Sequence, residues 1–441
     1  MKIFVVGAGQ VGATVVEALH SEHDLTLIDL DPGRLSALSN RYELRPVQGN
    51  AASRRVLQEA GLVDGALFIA CTSRDETNIV AAMFAKRLAP EITTIVRTTR
   101  EEYVEIWRER ELEIDHVVST ELETAHAVSR LIGVPAARQT DIFAEGQVQM
   151  VEFDVEEGAQ ADVVGLPLRR AEIPPDSKVA SIIRGDRTIV PRGDESIEPG
   201  DRIVVIGSPE AARAWSQLLS RSDRAVDDVV IVGAGETGVA IARLLLEQQI
   251  RVRMLEADAA RAREVAELLP EVRVFHTSGL EQDFIERERI GHARAAILAM
   301  PEDAKNLYAA TLAKLHGVRF TVAIVHDPLA ADVFERAGVD VAVNPRTVTA
   351  EEIVRFAHDP RVLQLSMLEG DRFEVLDITV REDSALCGKA FRELPMTGSL
   401  IGAIVRDGRA IFPHGDDMLQ PGDRAIIFTE SSRVPQVERA L

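Results

Sequence analysis

The residues best suited to chemistry are Gly7-Ala8-Gly9-Gln10-Val11-Gly12, a glycine-rich turn directly after the apolar run 2–6. Between a strand and a helix, this spacing suits a pyrophosphate. Gly7 permits the tight turn, Gly9 lets the backbone approach the ligand without a Cβ in the way, and Gly12 allows close packing of helix on strand. The helix N-terminus offers unpaired N–H donors and a partial positive charge. Asp29 ends the next apolar run, where a carboxylate accepts hydrogen bonds from an adenosine ribose and disfavours a 2′-phosphate, so NAD is expected over NADP. The alternative role of capping the helix that opens at Pro32 suits Asp31 better.

Further candidates follow the later strands. Asn50, after the third, sits where an adenine edge would lie. Cys71-Thr72-Ser73 follow the fourth, which flanks the ligand crevice of a doubly wound sheet. Thr72 and Ser73 either reach a ribose or phosphate or cap the helix expected over 75–89. Arg97 ends the fifth strand and either meets a phosphate or forms a surface ion pair.

The whole pattern then recurs. KIFVVGAGQVGATVVEAL returns as DVVIVGAGETGVAIARLL, LTLIDLDPGRL as VRMLEADAARA, and RDETNIVAAMFAKRL as PEDAKNLYAATLAKL. The second glycine turn is Gly233-Ala234-Gly235-Glu236-Thr237-Gly238, with Glu256 at the ribose position. Its downstream parts diverge: His276-Thr277-Ser278-Gly279 stands opposite Gln48-Gly49-Asn50-Ala51, and Val325-His326 stands near Arg97. This turn is expected either to take a second nucleotide or to persist as a relic kept for folding. A different segment also repeats, PRGDESIEPGDRIVVIGS returning as PHGDDMLQPGDRAIIFTE, so the order is A–B–A–B.

The elements that must position these residues are short strands alternating with helices. Candidate strands of the first unit are 2–6, 25–29, 44–48, 66–70, 93–97 and 115–118, and Val11, Val15, Val16 and Leu19 share one face of the helix between the first two. The fold expected is α/β, with two Rossmann-like doubly wound parallel-sheet domains, each followed by a small α+β domain. Expected boundaries are 1–138 for the first Rossmann domain with its connector, 139–222 for the first small domain, 226–357 for the second Rossmann domain with its connector, and 358–441 for the second small domain. Segments around 120–138 and 346–360 read as helical connectors. In the first small domain, 148–155, 179–184 and 201–206 are strand-like, with turns at Gly158, Gly185-Asp186, Arg192-Gly193-Asp194 and Pro199-Gly200-Asp201. This unit suits packing, dimerisation or small-ligand sensing rather than catalysis.

Composition removes several classes. With 71 acidic against 50 basic residues, the formal charge of −21 repels phosphate backbones and anionic headgroups. Aromatics make up only 4%, too few for base-stacking platforms, so no nucleic acid is expected. The 2 cysteines, Cys71 and Cys387, form neither a disulfide framework nor a metal-ligand spacing and read as core residues in a reducing cytoplasm. His116, His126 and His358 are scattered, so no metal is expected. The start of the chain reaches a glycine turn too soon for a signal peptide, and no window approaches the roughly 18 apolar residues of a membrane span. The mixed-charge run Arg100–Glu113 reads as a solvated helix face.

VVGAGQVG, the LIDLD strand end, the RDETN helix start and the doubled PGD segment resemble the regulatory subunits of Trk-type potassium uptake systems, built from K+-conductance-regulating domains (RCK, or KTN). The resemblance covers essentially the whole chain. It implies that NAD or NADH, and also ATP or ADP, bind at Gly7 through Val11, Asp29, Asn50, Thr72, Ser73 and Arg97, and in the second domain at Gly233 through Gly238 and Glu256. It further implies a homo-oligomer, a tetramer or dimer forming a cytoplasmic gating ring at the inner face of the membrane. The partner would be a potassium-transporting integral membrane subunit of the TrkH or TrkG kind, with no direct membrane insertion by this chain. Asn50 and Ala51 depart from the family pattern, which often has an acid there, a difference that bears on nucleotide preference. The alternative is an NAD-dependent oxidoreductase, which would need an acid–base pair and a substrate pocket beside the glycine turn.

Overall fold

The computed structural model describes all residues except 22, 63–65, 135–136, 157–158, 160–161, 186, 220–225, 328–329, 357–361, 369–371, 385 and 394–397. The expected turns at Gly158 and Asp186, and His358, lie outside the described residues.

The first sheet contains β1 (Lys2–Val6), β2 (Asp24–Asp29), β3 (Arg45–Gln48), β4 (Leu67–Ala70), β5 (Thr93–Thr98) and β6 (His116–Ser119), ordered β3-β2-β1-β4-β5-β6. All its pairings are parallel. Because both faces are covered, its strands carry apolar residues at successive positions. Ile3 and Val5 of β1 face one core with Leu27 and Ile69, while Phe4 and Val6 face the other with Ile28 and Phe68. The pairing of Val6 with both Ile28 and Ala70 brings the ends of β1, β2 and β4 level, at the point where strand order reverses.

The first small domain holds β7 (Ala137–Phe143), β8 (Val148–Asp154), β9 (Ser177–Arg184), β10 (Arg187–Ile189) and β11 (Arg202–Gly207), an antiparallel sheet ordered β10-β9-β11-β8-β7. Strand β7 was hidden in sequence because ARQTDIF alternates weakly and begins at the very end of the segment that reads as a connector. The second half repeats both sheets. Strands β12 (Asp228–Val232), β13 (Arg251–Glu256), β14 (Arg273–His276), β15 (Ala295–Leu298), β16 (Phe320–Ile324) and β17 (Val341–Val343) are ordered β14-β13-β12-β15-β16-β17. Then β18 (Val362–Leu368), β19 (Phe373–Thr379), β20 (Ser399–Arg406), β21 (Arg409–Ile411) and β22 (Arg424–Glu430) form the sheet β18-β19-β22-β20-β21.

The two halves exchange their connector helices. Helix Thr120–Gly133 follows the first Rossmann sheet, yet its Ala125, Val128 and Ile132 pack in one core with Val229 and Ile231 of β12. Helix Pro345–Arg355 follows the second sheet, and its Ala350, Ile353 and Val354 pack with Val5 and Leu27 of the first. Each buried valine or isoleucine among them contributes about 1.5–3 kcal/mol by removal from water, so the exchange ties the halves together. The small domains also share a core, in which Met150, Val204 and Ile206 meet Val375, Ala403 and Phe428.

The repeated PGD segments hold those small domains closed. Asp201, 2% exposed, accepts Arg184 Nε at 2.7 Å and Nη2 at 2.8 Å, and the Glu198 amide at 2.7 Å. Asp423 does the same with Arg406 at 2.9 and 2.8 Å and the Gln420 amide at 2.7 Å. Bidentate guanidinium pairing saturates these carboxylates, so the motif is a structural staple of the sheet.

Candidate functional site

At the end of β1 the chain turns through Gly7 at φ +105°, a conformation that side chains with a Cβ resist. The Gly7 amide donates to the Ile28 carbonyl at 2.9 Å. The Asp29 carboxylate then grips the turn, accepting the Ala8 amide at 2.6 Å and the Asp31 amide at 2.8 Å. Asp31 caps the next helix by accepting the Gly33 and Arg34 amides, leaving Asp29 to the turn and to the open space beyond it. A Cβ on Gly12 would lie 1.8 Å from the Gly7 carbonyl oxygen, so this glycine serves the fold. Gly9 has nothing within 4 Å of a virtual Cβ, so it keeps the approach to the helix N-terminus clear.

Asn78 shapes the opposite wall. Fully buried on helix Asp75–Leu88, it accepts the Thr72 amide at 2.9 Å and hydroxyl at 2.6 Å, and donates to the carbonyls of Thr72 at 3.1 Å and Arg97 at 3.0 Å. The Thr72 hydroxyl is therefore engaged, whereas Ser73 is exposed on the rim; neither side chain caps the helix, whose N-cap is Arg74. Asp75, also buried, accepts the Thr98 and Thr99 hydroxyls and the Thr99 and Arg100 amides, fixing the end of β5. Arg97 donates from Nε to the Thr120 hydroxyl at 2.9 Å and from Nη1 to the Thr72 carbonyl at 3.2 Å, so it is not a surface ion pair. Burial draws its pKa down, partly offset by Cys71 and Asp75, but a guanidinium remains charged at neutral pH. Asn50 accepts the Ala52 amide at 2.9 Å and shapes its own loop.

These residues enclose a cavity of about 670 Å³, ample for a dinucleotide's adenosine end. Gly7, Gly9, Gln10, Val11, Asp29, Asn50, Thr72, Ser73 and Arg97 line it, whereas Ala8 and Gly12 lie behind the loop. Asp31, Arg34, Arg74, Thr77 and Arg346 also line it and were not anticipated. Four arginines, Arg34, Arg74, Arg97 and Arg346, thus line one crevice of a strongly acidic protein and give it a local positive charge. The sequence signal for Arg346 was its place in the internal repeat, since PRTVT opens the second connector as TELET opens the first. Cys71 lies beneath the loop as a protonated thiol, its pKa pushed up to about 12 by burial, and its Sγ–H donates to the Val6 carbonyl at 3.3 Å.

The second glycine turn has the same backbone but different surroundings. Gly233 has φ +104°, and Glu256 accepts the Ala234 amide at 2.8 Å and the Asp258 amide at 2.8 Å, as Asp29 does in the first. Asn306 repeats the clamp on the carbonyls of Met300 and Ile324. Over this turn, however, the chain places its own side chains. Arg261 donates to the Ala234 carbonyl at 2.8 Å and pairs with Glu236 and Glu264, while Thr237 donates to Glu121 from the first connector helix. Gly235 and Gly238 keep the places of Gly9 and Gly12. His276 bonds the Ala257 carbonyl, and His326 pairs with Asp303. Among the described residues no group of histidine, cysteine and carboxylate side chains has the arrangement of a metal site, and no helix is long and apolar enough to cross a membrane.

Comparison with known proteins matches this architecture. The TrkA-N domain model matches residues 3–120 and 229–345, and the TrkA-C domain model matches 150–220 and 375–441. The Trk system potassium uptake protein TrkA homolog of Archaeoglobus fulgidus is 32% identical over 99% of both chains. The Trk system potassium uptake protein TrkA of Haemophilus influenzae is 30% identical, covering 100% of this chain and 98% of its own. Among solved structures, the GsuK RCK domain superposes with a TM-score of 0.61 at 17% identity, covering 100% of this chain and 94% of that one, which shows the shared fold. Two Rossmann sheets, two small antiparallel sheets and these matches along the whole length mean that the chain belongs to the TrkA family of Trk potassium uptake proteins.

Proposed function

We propose that this chain is a nucleotide-gated regulator of a potassium-transporting membrane subunit. NAD or NADH, or the adenine nucleotides ATP and ADP, bind in the first crevice, and no bond is made or broken. The observation that carries this reading is the cavity itself: a carboxylate at the ribose position, an open helix N-terminus and four arginines around one glycine turn. A GsuK channel bound to NAD has the same fold, with a TM-score of 0.60, which supports the choice of ligand.

Regulation then follows from linkage. A nucleotide shifts a gate only by its differential affinity for two arrangements of the Rossmann pair, and the exchanged helices make that pair one mechanical unit. A ring of several copies is supported by the apolar outer faces of equivalent helices, with Val80, Met83 and Phe84 exposed on one and Tyr308 and Leu315 on the other. Attachment at the inner face of the membrane would come through the transporting subunit. Isothermal titration of NADH, NAD, ATP and ADP into the full chain, with Asp29→Ala alongside, tests the reading. Saturable binding lost in Asp29→Ala, without turnover, is expected. If the wild type binds no nucleotide, the proposal fails.

A further inference from the structure

Glu121 and Arg346 are the second residues of the two connector helices, and each crosses to the glycine turn of the other half. Arg346 of the second half donates from Nη1 to the Gln10 side chain, at the start of the first glycine-loop helix, and to the His326 carbonyl at 2.7 Å. Glu121 of the first half accepts from Thr237, at the start of the second glycine-loop helix. The exchange is thus symmetric in geometry and opposite in charge. The same inversion runs around both crevices. Opposite Arg74 stands Glu302, opposite Arg97 stands Ile324, and opposite Gln10 stands Glu236. Arg34 has its counterpart in Arg261, but Arg34 is 60% exposed at the first cavity, whereas Arg261 is spent on the Ala234 carbonyl and on Glu236.

We infer that Arg346 is a phosphate-binding residue of the first crevice supplied by the second half, and that Glu121 fills the second crevice as a built-in anion in place of a nucleotide phosphate. Helix N-termini favour an anion, and Glu121 already meets that preference at the second turn. A phosphate entering there would meet the Glu121 carboxylate at the turn itself, a like charge that opposes it, while Glu236 is held by Arg261 and Glu302 by Lys305. At the first turn the anion must come from outside, and Arg346 waits for it with two neutral oxygen partners that a phosphate displaces easily. One nucleotide per chain follows, contacted by both halves, so occupancy of the first crevice bears directly on the start of the second connector helix.

This inference rests on the first crevice being a nucleotide site, and the experiment separates the two. Adenosine, AMP, ADP and ATP are titrated into the full chain and into Arg346→Gln and Arg346→Lys, with circular dichroism confirming that each variant is folded. The wild type is expected to take one equivalent of ADP or ATP per chain. In Arg346→Gln, affinity for ADP and ATP should fall about 10- to 100-fold, the scale of one charge-assisted hydrogen bond, while adenosine affinity is unchanged. Arg346→Lys should recover part of the loss. Two equivalents of similar affinity, or an unchanged ADP affinity in folded Arg346→Gln, would overturn the inference and leave the first-crevice reading intact. Absence of any binding to the wild type would overturn both.

Discussion

The hydroxyls of Thr120 and Thr349, one from each connector helix, meet at 3.1 Å in the buried crossing between the two halves. Thr120 also accepts Arg97 Nε at 2.9 Å, and Thr349 donates to the Pro345 carbonyl at 2.6 Å. A continuous polar path therefore runs from the floor of the first crevice to the first turn of the second connector helix. The path gives the crevice a physical route to the rest of the chain, because its members are positioned by mutual hydrogen bonds in an otherwise apolar crossing.

Thr120→Val keeps the shape of the crossing and removes its acceptor. Arg97 Nε is then left unpaired at a half-buried site, at a cost of about 1–3 kcal/mol in denaturant unfolding. Thr349→Val should cost less, because Arg97 retains Thr120. Equal losses in the two variants would show that the crossing is held by packing alone.

The staple of the small domain predicts a larger effect. Asp201→Ala strips the buried partner from Arg184 and frees the Glu198 amide, and is expected to destabilise the chain by about 2–4 kcal/mol, read as a fall in the unfolding midpoint. Asp201→Ala combined with Arg184→Met should recover much of that loss, since the charge then left without its partner is the solvent-exposed Glu198 carboxylate rather than a half-buried guanidinium. An Asp201→Ala variant with wild-type stability would show instead that the PGD segment serves a ligand.

Much of this was legible in sequence because it is local. The apolar run before Gly7 and the glycine spacing specify a strand, a turn and a helix, and all six strands of the first sheet lie within about two residues of where periodicity puts them. Asp29 stood out in sequence as a candidate ribose contact, but its grip on the Ala8 amide did not, since a side chain reaching back across the turn leaves no mark in spacing. The RDETN signature was visible as a repeat, while its meaning, Asp75 and Asn78 clamping the ends of β4 and β5, needed three dimensions. Arg346 and the helix exchange were the least legible. They join positions at opposite ends of the chain, and no hydrophobic period encodes which half a helix covers.

Glu123, on the first connector helix, gives the molecule a pH dependence. Burial, reinforced by Glu352 on the facing helix, pushes its pKa up to about 7 against the opposing pull of Arg130 and Arg355. A carboxyl whose folded pKa exceeds its unfolded value of about 4.3 binds its proton more tightly when folded. Its stabilising contribution is complete below about pH 4 and is lost as pH rises through about 7. Glu123→Gln, which mimics the protonated form, should therefore raise the melting temperature at pH 8 by the equivalent of about 1–2 kcal/mol and do little at pH 5. Thermal melts of both proteins from pH 5 to pH 8 check this; parallel curves would place Glu123 in contact with solvent.

Gly9 and Gly12 of the first turn separate binding from folding. Gly12→Ala forces a Cβ to within 1.8 Å of the Gly7 carbonyl, so the helix must move off the strand; a lower melting temperature and loss of nucleotide binding should appear together. Gly9 adopts φ −75° and ψ −169°, which alanine accepts, and a Cβ there meets no atom within 4 Å. Gly9→Ala should therefore melt like the wild type. Its methyl group nevertheless projects beside the N-terminus of helix Gln10–Leu19, where a pyrophosphate must approach the backbone. A loss of nucleotide affinity of at least about tenfold, some 1.4 kcal/mol, is expected from that obstruction alone. Unchanged affinity in a folded Gly9→Ala protein would mean that the phosphates lie away from the turn, nearer Arg74 and Arg97.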